Sequence, residues 1–202
     1  MAEGDALLIV DVQNDFCPGG ALAVPEGDRV VPVLNAYIEA FRSRGLPVFA
    51  SRDWHPPQTR HFKAGGGPWP PHCVAGSPGA GFHPDLALPE DAPVVSKGMA
   101  PTDDGYSAFE AESADGRELA DSLRDRGARR LFVGGLATDY CVRASVLDAA
   151  RQGFRPVLLL DAIRGIDVQA GDQAAALDEM IRAGARTATL RSIEGDLAER
   201  GG

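Results

Sequence analysis

The sequence predicts an α/β fold: a doubly wound, six-stranded parallel sheet with helices on both faces. Two observations carry it. Ala6 to Val12 is a nearly continuous apolar run of the kind that marks a strand buried on both sides. Short runs like it then alternate along the chain with segments of helical period.

The first helix is expected over Val31 to Arg44, where Val31, Val33, Leu34, Tyr37, Ile38 and Phe41 recur near helical spacing and Gly45 ends the pattern. Pro47 to Ser51 is the second strand. Residues 53 to 92 form a long loop rich in proline and glycine that holds all four histidines, a content that argues for function. Val94 to Ser96 is the third strand, Arg117 to Arg126 a helix, and Arg130 to Val133 the fourth strand. A helix runs from Asp139 or Tyr140 to Gln152, Pro156 to Leu160 is the fifth strand, Ala170 to Ala183 a helix, and Thr187 to Leu190 the sixth strand. A polar, glycine-ended tail follows. The 202 residues fit one domain, with a core over about 6–190.

Charge and composition narrow the function. Asp plus Glu number 29 against 20 Lys plus Arg, a formal charge of −9 that disfavours nucleic acid and anionic membranes as partners. No stretch has the length of a membrane span, and Met-Ala-Glu-Gly-Asp lacks the features of a secretion signal, so a cytoplasmic protein is expected. Three cysteines, an odd number, fit reduced thiols better than disulfides. Assembly into a homo-oligomer is compatible with the sequence.

In a doubly wound sheet, ligands gather beyond the carboxyl ends of the strands. Asp11, Asp53 and Lys97 fall at the ends of the first three strands, and Cys141 follows the fourth. Neighbouring strands lie about 4.8 Å apart, so these side chains can meet. Asp11, Lys97 and Cys141 are a base, a cation and a nucleophile for covalent acyl transfer, with the thiol at a helix start that favours thiolate. Taken singly, each has a blander reading: a packed thiol and an ion pair at a sheet edge.

Asp53-Trp-His55, followed by His61 and His72, is a carboxylate and imidazole cluster suited to one divalent transition metal ion. Zinc, iron and manganese all suit such donors. Positions 53 and 55 project to one side of an extended segment, and the loop can return His72 to them. His61 is either a further ligand or a loop residue. His83 caps a turn at His83-Pro84. Phe16, Trp69 and Tyr106 are candidates to line a slot for a flat ring, the alternative being core packing.

The stretches Asp11-Val-Gln-Asn-Asp-Phe16, Arg52-Asp-Trp-His55, Trp69-Pro-Pro-His72-Cys-Val, Val95-Ser-Lys-Gly98, Tyr106-Ser-Ala-Phe109 and Gly135-Leu-Ala-Thr-Asp-Tyr-Cys-Val-Arg143 resemble the nicotinamidase/pyrazinamidase branch of the isochorismatase-like hydrolases. The likeness runs from about residue 6 to residue 190. It implies Asp11 as general base, Lys97 as its cationic partner, Cys141 as nucleophile, and Asp53, His55 and His72 as metal ligands, with His61 an additional ligand in some members. It also implies a cis peptide at Leu136-Ala137, an oxyanion hole from the N–H groups of Ala137 and Cys141, and nicotinamide as the small-molecule substrate. Asp15 reads as structural. The alternatives are another small-amide or ureido hydrolase, an isochorismatase-like enzyme, or a non-catalytic binder of ligand or metal. A nucleotide binder fits poorly, because no Gly-x-Gly-x-x-Gly follows the first strand.

Overall fold

The computed structural model describes residues 1–193. Among them seven strands form one sheet in the order β4-β3-β2-β1-β5-β6-β7. These are β1 (Asp5–Val10), β2 (Val48–Asp53), β3 (Val94–Lys97), β4 (Glu112–Ser113), β5 (Arg130–Leu136), β6 (Arg155–Arg164) and β7 (Arg186–Ala188). Six are parallel, as the alternation predicts; β4 is an added antiparallel edge of two residues that carries no apolar signal.

Alternation along β1 divides the core. Leu7 and Ile9 pack with Val31, Leu34, Ile38 and Phe41 of α1 (Val30–Arg42) on one face. Ala6, Leu8 and Val10 face the other, with Leu119 and Leu123 of α2 (Leu119–Asp125), Val146 and Ala149 of α3 (Arg143–Arg151), and Met180 of α4 (Asp172–Arg182). Every one of these side chains is removed from water, which at about 1.5–3 kcal/mol for a large aliphatic group fixes which face each helix covers.

Several boundaries differ from the sequence reading. The strand expected over Thr187 to Leu190 is found at Arg186–Ala188, and part of the C-terminal tail lies outside the described residues. The helix expected from Asp139 or Tyr140 begins instead as a π-helical turn, Thr138–Val142, before α3 takes over. At β5, Gly135 has φ +128° and pairs with Val10; a Cβ there would stand 2.7 Å from the Val10 nitrogen. Only glycine lets β5 approach β1 this closely just before the cysteine turn.

Candidate active site

Parallel register brings the predicted residues together. Asp53 and Lys97 are direct partners across β2 and β3, while Val10, the residue before Asp11, pairs with Ser51. Asp11 turns out of β1 with φ +49°, and its Oδ1 accepts a 2.7 Å hydrogen bond from the Ser51 hydroxyl. Lys97 Nζ lies at the centre. It is 2.8 Å from Asp11 Oδ2 and 3.4 Å from Cys141 Sγ, pairs with Asp53 Oδ1, and donates to the Gly105 carbonyl at 2.6 Å. One oxygen from each of Asp11 and Asp53 and the sulfur of Cys141 lie within 4.8 Å of one another, all buried.

One ammonium thus stands among two carboxylates and a thiol, and burial decides how their protons sit. Burial lowers the proton affinity of Lys97, but Asp11 and Asp53 outweigh it and hold the amine charged. Burial raises the Asp11 carboxyl above its ordinary value, and Lys97 offsets only part of that rise. Burial drives the Cys141 thiol well up, with Lys97 opposing and Asp11 adding. The resting thiol is therefore protonated, beside a carboxylate of raised basicity. Asp11 is close enough to hydrogen-bond the Cys141 thiol as well as Lys97, which places its carboxylate to receive the thiol proton.

On the other side of Asp53 stand the imidazoles. His55 Nδ1 shares a 3.2 Å hydrogen bond with the Gly98 carbonyl, and His72 Nδ1 one of 2.9 Å with the Pro70 carbonyl. Since a carbonyl only accepts, each ring donates from Nδ1 and turns a bare Nε2 inward. Those Nε2 atoms lie 3.5 and 3.7 Å from Asp53 Oδ2. His55 Nε2 is buried without a hydrogen-bond partner, an expensive omission unless a cation belongs there. His61 stacks on His55 at 4.6 Å, and burial, reinforced by His55 and His72, lowers it to about 4, which keeps the ring neutral and able to ligate. Nitrogens of His55, His61 and His72 fall within 4.8 Å of one another. Burial would raise Asp53, yet the charge of Lys97 outweighs it and holds the carboxyl well below the usual carboxylate range. The donor set of three imidazoles and a carboxylate fits a divalent transition ion.

Local chain geometry explains this convergence. Backbone bonds from His55 N–H to the Cys73 carbonyl and from Ala75 N–H to the His55 carbonyl run residues 72–75 alongside the end of β2, which returns His72. A Cβ on Gly98 would stand 2.5 Å from His55 Nδ1, so glycine keeps that ring in place. Gln13, fully buried, donates to the Asp53 and Ala80 carbonyls and accepts from the Asp53 N–H at 2.7 Å, fixing the backbone of the shared acid. Asp15 accepts from Cys73 N–H at 2.7 Å and Ala21 N–H at 3.1 Å, a structural role. His83 Nδ1 accepts from Asp85 N–H, closing its turn.

An aromatic slot adjoins both groups. Phe16, Trp69 and Tyr106 line it with His61, His72, Ala137 and Cys141, and Trp69 Nε1 donates to the Tyr106 hydroxyl at 2.9 Å. The Leu136-Ala137 peptide is cis. Sequence reasoning missed Tyr140, which meets Trp69 edge to face at 5.0 Å, and missed Leu22, Asp104 and Ile166 at the same slot. Ile166 follows β6, so the strand-end rule that selected the other residues could also have found it.

With a buried thiol, carboxylate and ammonium gathered at the strand ends beside donors for a transition ion, the molecule has the make-up of a hydrolase of the α/β class. The Isochorismatase domain matches residues 5–192, and the chain belongs to the isochorismatase family. It is 45% identical to the nicotinamidase of Escherichia coli K12, over 94% of this chain and 96% of that one. It is 41% identical to the nicotinamidase/pyrazinamidase of Mycobacterium tuberculosis H37Rv, over 93% and 97%. The pyrazinamidase of Pyrococcus horikoshii, solved in complex with zinc, superposes with a TM-score of 0.85 at 45% identity, over 93% of this chain and 99% of that one.

Proposed function

We propose that this protein hydrolyses nicotinamide, and pyrazinamide-type analogues, to the acid and ammonia through a Cys141 thioester. The observation that carries the reading is the clustering of Cys141 Sγ, Asp11 and Lys97 against a slot lined by Phe16, Trp69, Tyr106 and Tyr140. Full-length similarity to proteins named nicotinamidase supports the substrate.

The ring enters between Phe16, Trp69 and Tyr106, leaving the carboxamide carbon before the sulfur. Asp11 takes the thiol proton as Sγ attacks, and the carbonyl π pair moves onto oxygen, where the N–H groups of Ala137 and Cys141 hold it. Such donors contribute about 3–4 kcal/mol each. Lys97 keeps Asp11 anionic before the transfer and stabilises the thiolate as it forms. The oxyanion collapses, the C–N bond breaks, and the amine leaves as ammonia with the proton Asp11 had taken. Asp11 next removes a proton from water as its oxygen attacks the thioester. The C–S bond breaks, the acid departs, and sulfur regains a proton.

Asp53, His55 and His72, with His61 as a further donor, would hold one divalent transition ion, which when bound supplies a Lewis-acidic centre for a ring nitrogen or a water. The zinc complex of the Pyrococcus pyrazinamidase favours zinc over iron and manganese. Free, buried Cys17, Cys73 and Cys141 support a reducing, cytoplasmic setting, and similarity to proteins named nicotinamidase supports a place in pyridine nucleotide salvage. No helix among the described residues is long and apolar enough to cross a membrane.

Metal analysis of the purified protein, paired with a nicotinamide ammonia assay before and after chelation, tests the proposal. The expected result is one ion per chain, with ammonia release that falls on chelation and returns on reloading. Ammonia from a ureido compound or another small amide, with none from nicotinamide or pyrazinamide, would replace it with a sister activity.

A further inference from the structure

The segment from Gly165 to Gly171, between β6 and α4, is tied to the cysteine turn through one side chain. Asp139 is buried, two residues before Cys141, and its carboxylate binds the backbone of this segment. Oδ1 accepts from the Ile166 N–H at 3.0 Å, and Oδ2 from the Asp167 N–H at 2.8 Å. Each carboxylate oxygen is therefore engaged by one of two consecutive backbone donors, a two-point grip that fixes orientation as well as distance.

The grip continues outward. Asp167, at φ +55°, accepts from Gln173 N–H at 3.0 Å in the first turn of α4, and a Cβ on Gly165 would collide with the Gln173 side chain. Beyond that point the segment is exposed, with Val168 61% accessible, and contributes little apolar anchoring of its own. Ile166 lies between the two ties and forms part of the slot wall with Leu22, Phe16 and Tyr140.

We infer that Asp139 is a positioning residue that sets the slot's Ile166 wall in register with the nucleophile, and that Ile166 is thereby a determinant of substrate affinity. This inference deepens the proposed amide hydrolysis and rests on it. Ile166 meets the ring of the substrate, which does not change between ground state and transition state, so its contact strengthens both equally. Loss of such a contact raises KM and spares kcat.

The test uses metal-loaded protein carrying Asp139→Asn, Ile166→Ala, or both. Asp139→Asn keeps the volume and one acceptor but turns a donor amide onto a backbone N–H. Each single variant is expected to raise the nicotinamide KM at least about fivefold with kcat within about threefold, and the double variant to rise little further because both act through one wall. Hydrogen exchange supplies a readout without substrate: in Asp139→Asn the amides of Ile166 and Asp167 exchange at least about tenfold faster while those of β1 stay protected.

A fall in kcat at constant KM, additive effects in the double variant, or unchanged exchange at Ile166 and Asp167 would overturn the inference. If Asp139→Asn does not fold, Asp167→Gly, which cuts the outer tie at a position of positive φ, should raise KM in the same direction by less; an unchanged KM would overturn it as well. Wild-type protein that leaves nicotinamide intact would remove the proposed substrate, while the exchange measurement would still report on the clamp.

Discussion

The same two strands, β1 and β5, carry an acid and a cation at one end and the proposed chemistry at the other. At their amino ends, Asp5 meets Arg130 in a two-pronged pair at 2.7 and 2.6 Å, with the arginine side chain 37% exposed. At their carboxyl ends, Asp11 and the Cys141 turn meet Lys97, and the Lys97 and Asp11 side chains are fully buried. In the first site each carboxylate oxygen of Asp5 accepts from the Arg130 guanidinium, at a partly exposed position. The second places one ammonium among two carboxylates and a thiol, all of them buried. Such a pair gives an inert staple; a surplus of acids around one cation gives a carboxylate that can take a proton and a thiol placed to lose one.

Cys141→Ala is expected to give the largest effect on that contrast, removing ammonia release by a factor of at least about 10³ while metal content stays at the wild-type level. Ammonia assay and metal analysis on the same preparation check it. Lys97→Met should follow, because it strands two buried carboxylates; a loss of about 3–5 kcal/mol in denaturant stability is expected together with loss of turnover. His72→Ala should lower metal content and activity together and leave the Cys141 thiol open to alkylation, measured by mass spectrometry.

Asp11 sharpens the comparison through pH. Its raised carboxyl value means that kcat/KM falls as pH drops and the base is protonated, along an acid limb centred above the ordinary aspartate value of 3.8. The Ser51 hydroxyl favours the anion, so Ser51→Ala should move that limb to higher pH, as read in a pH–rate profile. The smallest effect is expected at the staple. Arg130→Met should cost about 1–2 kcal/mol in thermal unfolding and leave kcat within about twofold.

How much of this was legible in the chain depends on what each residue answers to. Asp11, Asp53 and Lys97 were found because parallel strands are buried on both faces, so a charged residue that ends an apolar run stands out. His55, His61 and His72 were found by composition and spacing within one loop. The edge strand at Glu112–Ser113 was missed because two backbone pairings need no apolar pattern. The π-helical turn at Thr138–Val142 was missed because it shares the residue types of an ordinary helix start. Gln13 and Asp139 stand in motifs whose other members suggest chemistry, but both bind backbone atoms far along the chain, at Ala80 and at Ile166, which local pattern does not encode. Tyr140 was hidden by the cysteine beside it.

Whether Cys141 carries the acyl group is read by rapid acid quenching at saturating nicotinamide, followed by intact-mass analysis and peptide mapping. One nicotinoyl group is expected on the peptide that contains Cys141 and none on those of Cys17 or Cys73. A burst of ammonia with no acyl group on any thiol would contradict it.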